Sequence, residues 1–381
     1  MISDETSDNV LSQLHISLCD LNQRGYDIEI GSGNLERIGL FISRFKPYSQ
    51  VVVLADTNVR DNGYSDMVVR SLTDIGADVF VEVIRSGEQS KSVETAIKIW
   101  SDFLEVGIDR NSILVSVGGG VIGDLGGFVA AAYTRGIRFF QVPTTLLAQV
   151  DSSVGGKVGV DLPQAKNMVG FFHQPLGVLI DSDVLKTLPD IEYVCGLGEV
   201  AKYAVSLDAE LFNMLETNAD KVKARDSELI RFIVTKCCKI KGQIVEEDEF
   251  EKTGKRVLLN YGHTFAHVFE IVSKFTLPHG QAVAIGSIYA AKLAAELGIT
   301  DKNFVDRQIK FHNSIGLPVE LPEELFVTIN WKEVIDLMQH DKKTESGKLR
   351  FVLPTKIGQC KVVNNVDPKN IYNLTGLSQN S

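Results

Sequence analysis

Cysteine is scarce in this sequence. The five copies in 381 residues (Cys19, Cys195, Cys237, Cys238 and Cys360) are odd in number and scattered, with no Cys-x-x-Cys spacing. That argues against a disulfide framework and a thiolate zinc site, so all five read as reduced structural residues. Long apolar runs are missing as well, and nothing approaches the ~18 residues that a membrane span requires. The opening stretch, MISDETSDNVLSQ, is polar and acidic, with neither the basic region nor the apolar segment of a secretory signal. A cytoplasmic protein is therefore expected. Basic residues are outnumbered, Lys plus Arg being 39 against 49 Asp plus Glu, which gives a net charge of −10. An acidic chain with pI ≈ 5.3 lacks the electrostatic footprint of a nucleic-acid binder. Neither nucleic acid nor membrane is an expected partner, whereas a local cluster of lysines suffices for an anionic small molecule.

With 44% hydrophobic and 23% charged residues, the composition is that of a globular protein, and the length suggests about two domains at roughly 150 residues each. The first half alternates short β-branched runs with helical patterns. Strands are expected at 27–30, 51–56, 78–84, 112–117, 138–143 and 178–182. Their continuous apolar character fits a parallel sheet buried on both faces. Between them Val93, Ala96, Ile97, Trp100 and Leu104 form an apolar stripe at helical spacing that stops at Gly107. From about Glu192 strand-like runs become rare, and helical patterns cover 209–225, 228–246, 262–275 and 281–297. The expected plan is a polar extension over 1–25, an α/β nucleotide-binding domain over 26–190 and an all-α domain over 191–381, with a site in the cleft between the two domains.

Three segments carry chemistry. In SVGGGVIGD, Gly118, Gly120 and Gly123 follow a strand and open a helix, so the backbone can approach a pyrophosphate at the helix N-terminus. No acidic residue lies about 20 positions on, where a standard dinucleotide fold holds its ribose. Asp56, at the end of an earlier strand, is the substitute. The stretch DSSVGGKVGV, with AKN after it, places Lys157, Lys166 and Asn167 in small-residue, turn-prone sequence suited to a phosphate or carboxylate. In RVLLNYGHTFAHVFE and the following LPHG, three of the seven histidines (His263, His267 and His279) fall within a short span. His263 and His267 share a helix face, and imidazoles with an open position suit catalytic zinc. A carboxylate ligand can come from GEVAK, where Glu199 and Lys202 lie on one face.

These motifs, with SGEQSK, YTRG, VPTTLLAQ and HDKK in the same order, resemble the 3-dehydroquinate synthase family from about Tyr26 to Cys360. DSSVGGK is the most specific segment, since cyclases that make inosose or valiolone rings differ there. The resemblance implies conversion of 3-deoxy-D-arabino-heptulosonate 7-phosphate (DAHP) to 3-dehydroquinate and phosphate in the shikimate pathway. The C5 hydroxyl is transiently oxidised by NAD+, phosphate is eliminated, the ketone is reduced back and an intramolecular aldol step closes the ring. It implies Zn²⁺ or Co²⁺ on Glu199, His263 and His279, with His267 moved to the substrate site. Asp151, Lys157, Lys202, Lys241, Arg256, Asn260, Asn167 and Lys342 are the implied substrate and proton-transfer groups, Lys342 being preferred over Lys343. For NAD the resemblance implies Asp56, Asn58, Ser86, Gly87, Glu88, Gln89, Ser90, Lys91, Gly120, Val121, Ile122, Gly123, Asp124, Thr144, Thr145, Lys157, Lys166, Val184, Leu185, Lys186 and Thr187. Arg135 resembles an arginine donated across a homodimer.

The sequence departs from the commonest family pattern at Val158, Asp161, Ala165, Ala266 and Gln281. Asp161 adds negative charge near an anion-binding loop, which weakens binding unless it points away. These departures leave room for a specialised paralogue acting on the amino analogue of DAHP. An NAD- and metal-dependent alcohol dehydrogenase of the glycerol dehydrogenase type shares the two-domain plan, but would not need so many lysines.

Overall fold

Runs such as VVVLAD and ILVSVG have no polar face to offer solvent, so they pair inside a sheet covered on both sides. In the computed structural model, which describes residues 10–18, 25–341 and 349–375, they do so. The main sheet contains β1 (Val10–Ile16), β2 (Tyr26–Gly31), β3 (Val51–Asp56), β4 (Val79–Ile84), β5 (Ile113–Gly118), β6 (Arg138–Pro143) and β9 (Gly177–Asp181). Its order is β1-β2-β9-β6-β5-β3-β4. All neighbours are parallel except β1, which runs antiparallel to β2. From β3 the chain moves outward to β4 and then returns to the other side of β3 as β5. The strand order therefore reverses between β3 and β5, the place where open α/β sheets bind ligands beyond their carboxyl ends.

The six expected strands are all present, with every end within a residue of its expected place. The seventh, β1, lies in the stretch expected to be only a polar extension. Its register, Leu14 opposite Ile28 and Ile16 opposite Tyr26, needs only one apolar face, and polar Ser12 and Gln13 masked that alternation. A second addition is the hairpin β7 (Lys157–Leu162) and β8 (Ala165–Phe172), which replaces the expected loop. Val158 and Val160 of β7 enter a core cluster with Leu54, Ile99, Phe103, Leu114, Ile122 and Leu125. Helix Val93–Val106 ends at left-handed Gly107 as expected. Its buried face is Ala96, Ile99 and Phe103, however, while Ile97 and Leu104 are exposed. Val93 and Trp100 of the expected stripe do pack against the core cluster; the helix is apolar on more than one side, so spacing alone could not exclude Ile97 and Leu104.

The chain forms two compact units, 1–193 with 230–250, and 194–229 with 251–381. The segment 230–250 thus belongs with the N-terminal unit, although an expected boundary at 190/191 assigns it to the other. Lys241 ion-pairs with Asp151, Ser12 hydrogen-bonds Thr235, and Gly242 faces the Ile16 side chain. The second unit is helical and adds one hairpin, β10 (Leu349–Lys356) with β11 (Gln359–Val366), which "all-α" omits. Its central helix, His279–Glu296, is buried on nearly every side and packs on helices His263–Val272, Lys302–Ser314 and Pro368–Thr375. A residue type buried all round leaves little periodicity to read.

Candidate active site

In the first unit the residues expected around NAD come to the carboxyl edge of the parallel strands. Asp56 ends β3 and caps the next helix, accepting the Val59 N–H at 2.9 Å. Burial pushes its carboxyl up, against hydrogen bonds from Val59 and Asn58 that pull it down. Ser86, Gly87, Glu88, Gln89, Ser90 and Lys91 follow β4, and the Ser86 N–H donates to Thr57 Oγ1 at 3.1 Å. Gly120, Val121, Ile122, Gly123 and Asp124 open the helix after β5. Thr144 and Thr145 follow β6, the Thr144 N–H donating to the Gly118 carbonyl at 2.9 Å. Val184, Leu185, Lys186 and Thr187 follow β9, and Thr187 Oγ1 lies 2.6 Å from the Tyr64 hydroxyl.

The charged groups on this edge hold one another. Lys91 is buried, with Nζ 2.6 Å from Asp124 Oδ2 and hydrogen-bonded to Asn167 Oδ1. Burial lowers the Lys91 ammonium, but the Asp124 charge beside it wins and raises it. Lys166 Nζ is 3.7 Å from Glu88 Oε1. Asn167 takes a left-handed backbone at φ 57, and its N–H donates to Asp161 Oδ1 at 2.8 Å. The departure at Asp161 is therefore anchored on backbone. Lys157 opens β7 and is exposed. Asp151 lies in a π-helical turn, and its carboxylate and carbonyl both accept from Lys241 Nζ, the carbonyl at 2.7 Å. Arg135 is exposed on a turn where it and Thr134 both have left-handed backbone, at φ 68 and 48, a conformation that costs a non-glycine residue energy.

The second unit gathers a compact donor set. Glu199 is fully buried in helix Asp190–Ser206, and Lys202, one turn on, ion-pairs with its Oε2. His263 starts one helix and His279 the next. Their Nε2 atoms lie 3.4 and 3.3 Å from Glu199 Oε1, and all three donor atoms fall within 4.8 Å of one another. Glycine makes the approach possible: a Cβ on Gly198 would lie 2.1 Å from the Gly280 carbonyl oxygen, and one on Gly280 1.9 Å from that of Cys195. The turn before His263 is pinned by the Tyr261 hydroxyl, which donates toward Ser287 O at 2.9 Å and Gln308 Oε1 at 3.0 Å.

The electrostatics suit a cation. Burial raises the Glu199 carboxyl, but the Lys202 charge and the neighbouring imidazole of His263 hold it well below the ordinary range. Burial pushes His263 down to about 4, leaving a neutral imidazole near pH 7. Burial also lowers His279, yet hydrogen bonds to Glu199 and Glu270 outweigh it and raise that ring. Neither Glu199 oxygen receives a well-aligned hydrogen bond although both are buried. Two imidazole nitrogens and a carboxylate oxygen form the donor set of a three-ligand site with an open position, and fit Zn²⁺ or Co²⁺. His267 stacks on His279 with centroids 6.4 Å apart and donates no atom to the cluster. Helix spacing had allowed it as a ligand.

Arg256 is buried and faces Glu251 at 3.6 Å, and Asn260 closes the same short helix. Lys342 lies outside the described residues. One polar neighbour went unremarked in the sequence: buried Glu270, whose Oε2 is 3.3 Å from His279 Nδ1. It stands seven residues after His263, and i, i+7 spacing was the signal that could have found it.

Comparison with known proteins places both halves. Residues 81–195 match the family described as 3-dehydroquinate synthase N-terminal, and residues 196–344 match 3-dehydroquinate synthase C-terminal. A 3-dehydroquinate synthase from Desulforamulus reducens is 44% identical over 361 residues, covering 94% of this chain and 98% of that protein. The crystal structure of 2-deoxy-scyllo-inosose synthase complexed with carbaglucose-6-phosphate, NAD+ and Co²⁺ is similar at TM-score 0.84 and 25% identity, covering 96% of this chain and 99% of that one. A 2-epi-5-epi-valiolone synthase from Streptomyces hygroscopicus with NAD+ and Zn²⁺ bound gives 0.82 and 26%, covering 91% and 95%.

Proposed function

This chain belongs to the 3-dehydroquinate synthase family, and on that premise we propose that it converts DAHP to 3-dehydroquinate and phosphate as an NAD- and metal-dependent lyase. The observation that carries the reading is the convergence of Glu199, His263 Nε2 and His279 Nε2 beside buried Lys202. Bound NAD+ supplies a transient hydride acceptor, and Zn²⁺ or Co²⁺ supplies a Lewis acid at the substrate alcohol. Glu199, His263 and His279 hold the metal, and the loops beyond β3, β4, β5, β6 and β9 hold the dinucleotide.

The remaining groups bind anions and move protons. Lys157, Lys202, Lys241, Arg256, Asn260 and Asn167 supply cations and amide donors for the substrate carboxylate and phosphate. Asp151, fixed through Lys241, is a carboxylate positioned to hold a proton, and His267 supplies an imidazole beside the cluster. Exposed Arg135 reaches the phosphate of a neighbouring copy, so the working form is a homodimer. A cytoplasmic location follows from this biosynthetic role, and no helix among the described residues is long and apolar enough to cross a membrane.

The test measures phosphate release from DAHP with NAD+ and Zn²⁺ or Co²⁺, with and without chelator, while absorbance follows NADH. Chelator-sensitive release with dehydroquinate as product and no net NADH is expected. Turnover of only the amino analogue would indicate a specialised paralogue, and net NADH from simple polyols would overturn the reading in favour of a dehydrogenase.

A further inference from the structure

The two histidines of the metal cluster turn the same nitrogen toward Glu199, yet their outer nitrogens meet different partners. His263 Nδ1 lies 3.2 Å from the Tyr261 carbonyl oxygen, a neutral acceptor locked by the Tyr261 hydroxyl contacts. His279 Nδ1 lies 3.3 Å from Glu270 Oε2, and the Glu270 side chain is only 8% exposed. A carboxylate carried on helix His263–Val272 thus reaches a ring at the start of helix His279–Glu296. Of the two rings, His279 is the more open, at 34% side-chain exposure against 11% for His263. Surrounding structure immobilises the His279 ring less, so a hydrogen bond at its outer nitrogen matters more.

We propose that Glu270 is a positioning residue for the metal centre, accepting the His279 Nδ1–H so that Nε2 is held unprotonated and aimed at the ion. The proposal rests on the metal-site reading above and deepens it. A carboxylate behind an imidazole ligand fixes its tautomer and ring orientation and raises its basicity. The Tyr261 carbonyl fixes orientation on the His263 side but contributes no charge. The pair divides labour: His263 is set by burial and backbone, His279 by a carboxylate nine residues earlier in the chain.

The test is metal affinity, measured on the full-length apoprotein by competition with a chromophoric chelator for Zn²⁺ and by the visible absorption of bound Co²⁺. The variants are Glu270→Gln, which keeps the volume and an acceptor oxygen but loses the charge, and Glu270→Ala, which loses both. Wild type should bind one ion, and Glu270→Ala should bind about 10–100-fold more weakly, with an altered Co²⁺ spectrum. Glu270→Gln should fall between the two. Thermal unfolding of each apoprotein reports the fold, and if the alanine variant does not fold, the glutamine variant decides. Affinity within threefold of wild type in the folded variants overturns the role of Glu270 while leaving the metal site standing. A wild type that binds neither ion, or a His279→Ala variant that binds as well as wild type, overturns the metal site itself.

Discussion

The two candidate binding regions, one in each compact unit, follow opposite plans. Along the carboxyl edge of the sheet, polar groups are spread over five strand ends and largely satisfied by one another: Lys91 with Asp124 and Asn167, Lys166 with Glu88, Asp161 with Asn167, Tyr64 with Thr187. In the second unit the donors are three residues within 4.8 Å, and the buried carboxylate among them lacks a well-aligned hydrogen bond. A dispersed, self-paired surface can bind a long cofactor through many small contributions and loses affinity gradually. A three-ligand cluster has no redundancy. The contrast also separates what each region asks of folding, since the first is held together before any ligand arrives and the second keeps charges poised for one.

The sharpest test of that contrast is His279→Ala. It removes one of three ligands, so metal content after gel filtration should drop to background and phosphate release should fall by at least about 100-fold, beyond what an outer-shell change costs. Full metal retention would break the assignment. Lys91→Met probes the other plan. It strands the Asp124 carboxylate, already raised by burial, and breaking such a pair should cost roughly 3 kcal/mol in urea unfolding. NAD affinity should weaken while metal content stays at the wild-type level. Metal loss there would show that the two regions are not independent.

Acid should separate the units as well. In the first, burial raises the carboxyls of Asp56, Asp124 and Asp181, so those groups favour the folded state as pH falls toward the carboxylate range. In the second, His312 is buried, neither ring nitrogen has a hydrogen-bond partner among the described residues, and burial pushes it down to about 3. Above the unfolded value near 6.5 this costs nothing. Below it the unfolded chain takes a proton that the folded one refuses, so stability falls by about 2 kcal/mol by pH 5. Urea unfolding of wild type and His312→Leu at pH 7 and pH 5 checks this, and an equal pH dependence in both would sink it.

Much of this was legible in the sequence for a physical reason. Strands buried on both faces announce themselves as β-branched runs, which is why Val51–Asp56 and Arg138–Pro143 were found to the residue. Glu199 and Lys202, three residues apart, are neighbours on one face of an α-helix. The illegible parts depend on partners distant in sequence. β1 is an edge strand with a single buried face, and β7 conceals two core valines among glycines and a lysine. Segment 230–250 joins the first unit through contacts that local periodicity cannot encode. Choosing Glu199 over His267 as the third ligand came from the family resemblance; helix spacing pairs His267 with His263 and says nothing of Glu199, which lies on another helix.

The smallest expected effect tests whether the first region is as self-paired as its contacts say. Asparagine at position 161 can still accept the Asn167 N–H through its side-chain oxygen, so Asp161→Asn should preserve the hairpin and change NAD affinity by no more than about threefold at pH 7. It does remove a negative charge close to Glu88. The Glu88 carboxyl is raised chiefly by burial, with Lys91 and Lys166 opposing and Asp161 adding to the rise. Without that charge Glu88 ionises at lower pH, so if the ionised form serves the dinucleotide, the acid limb of NAD affinity moves to lower pH in the variant. Titrating NAD between pH 5 and 8 in both proteins reads the shift directly. An acid limb that does not move would detach Glu88 from the cofactor, and a loss beyond tenfold at pH 7 would mean that the charge of Asp161, rather than its hydrogen bond, is what the dispersed site depends on.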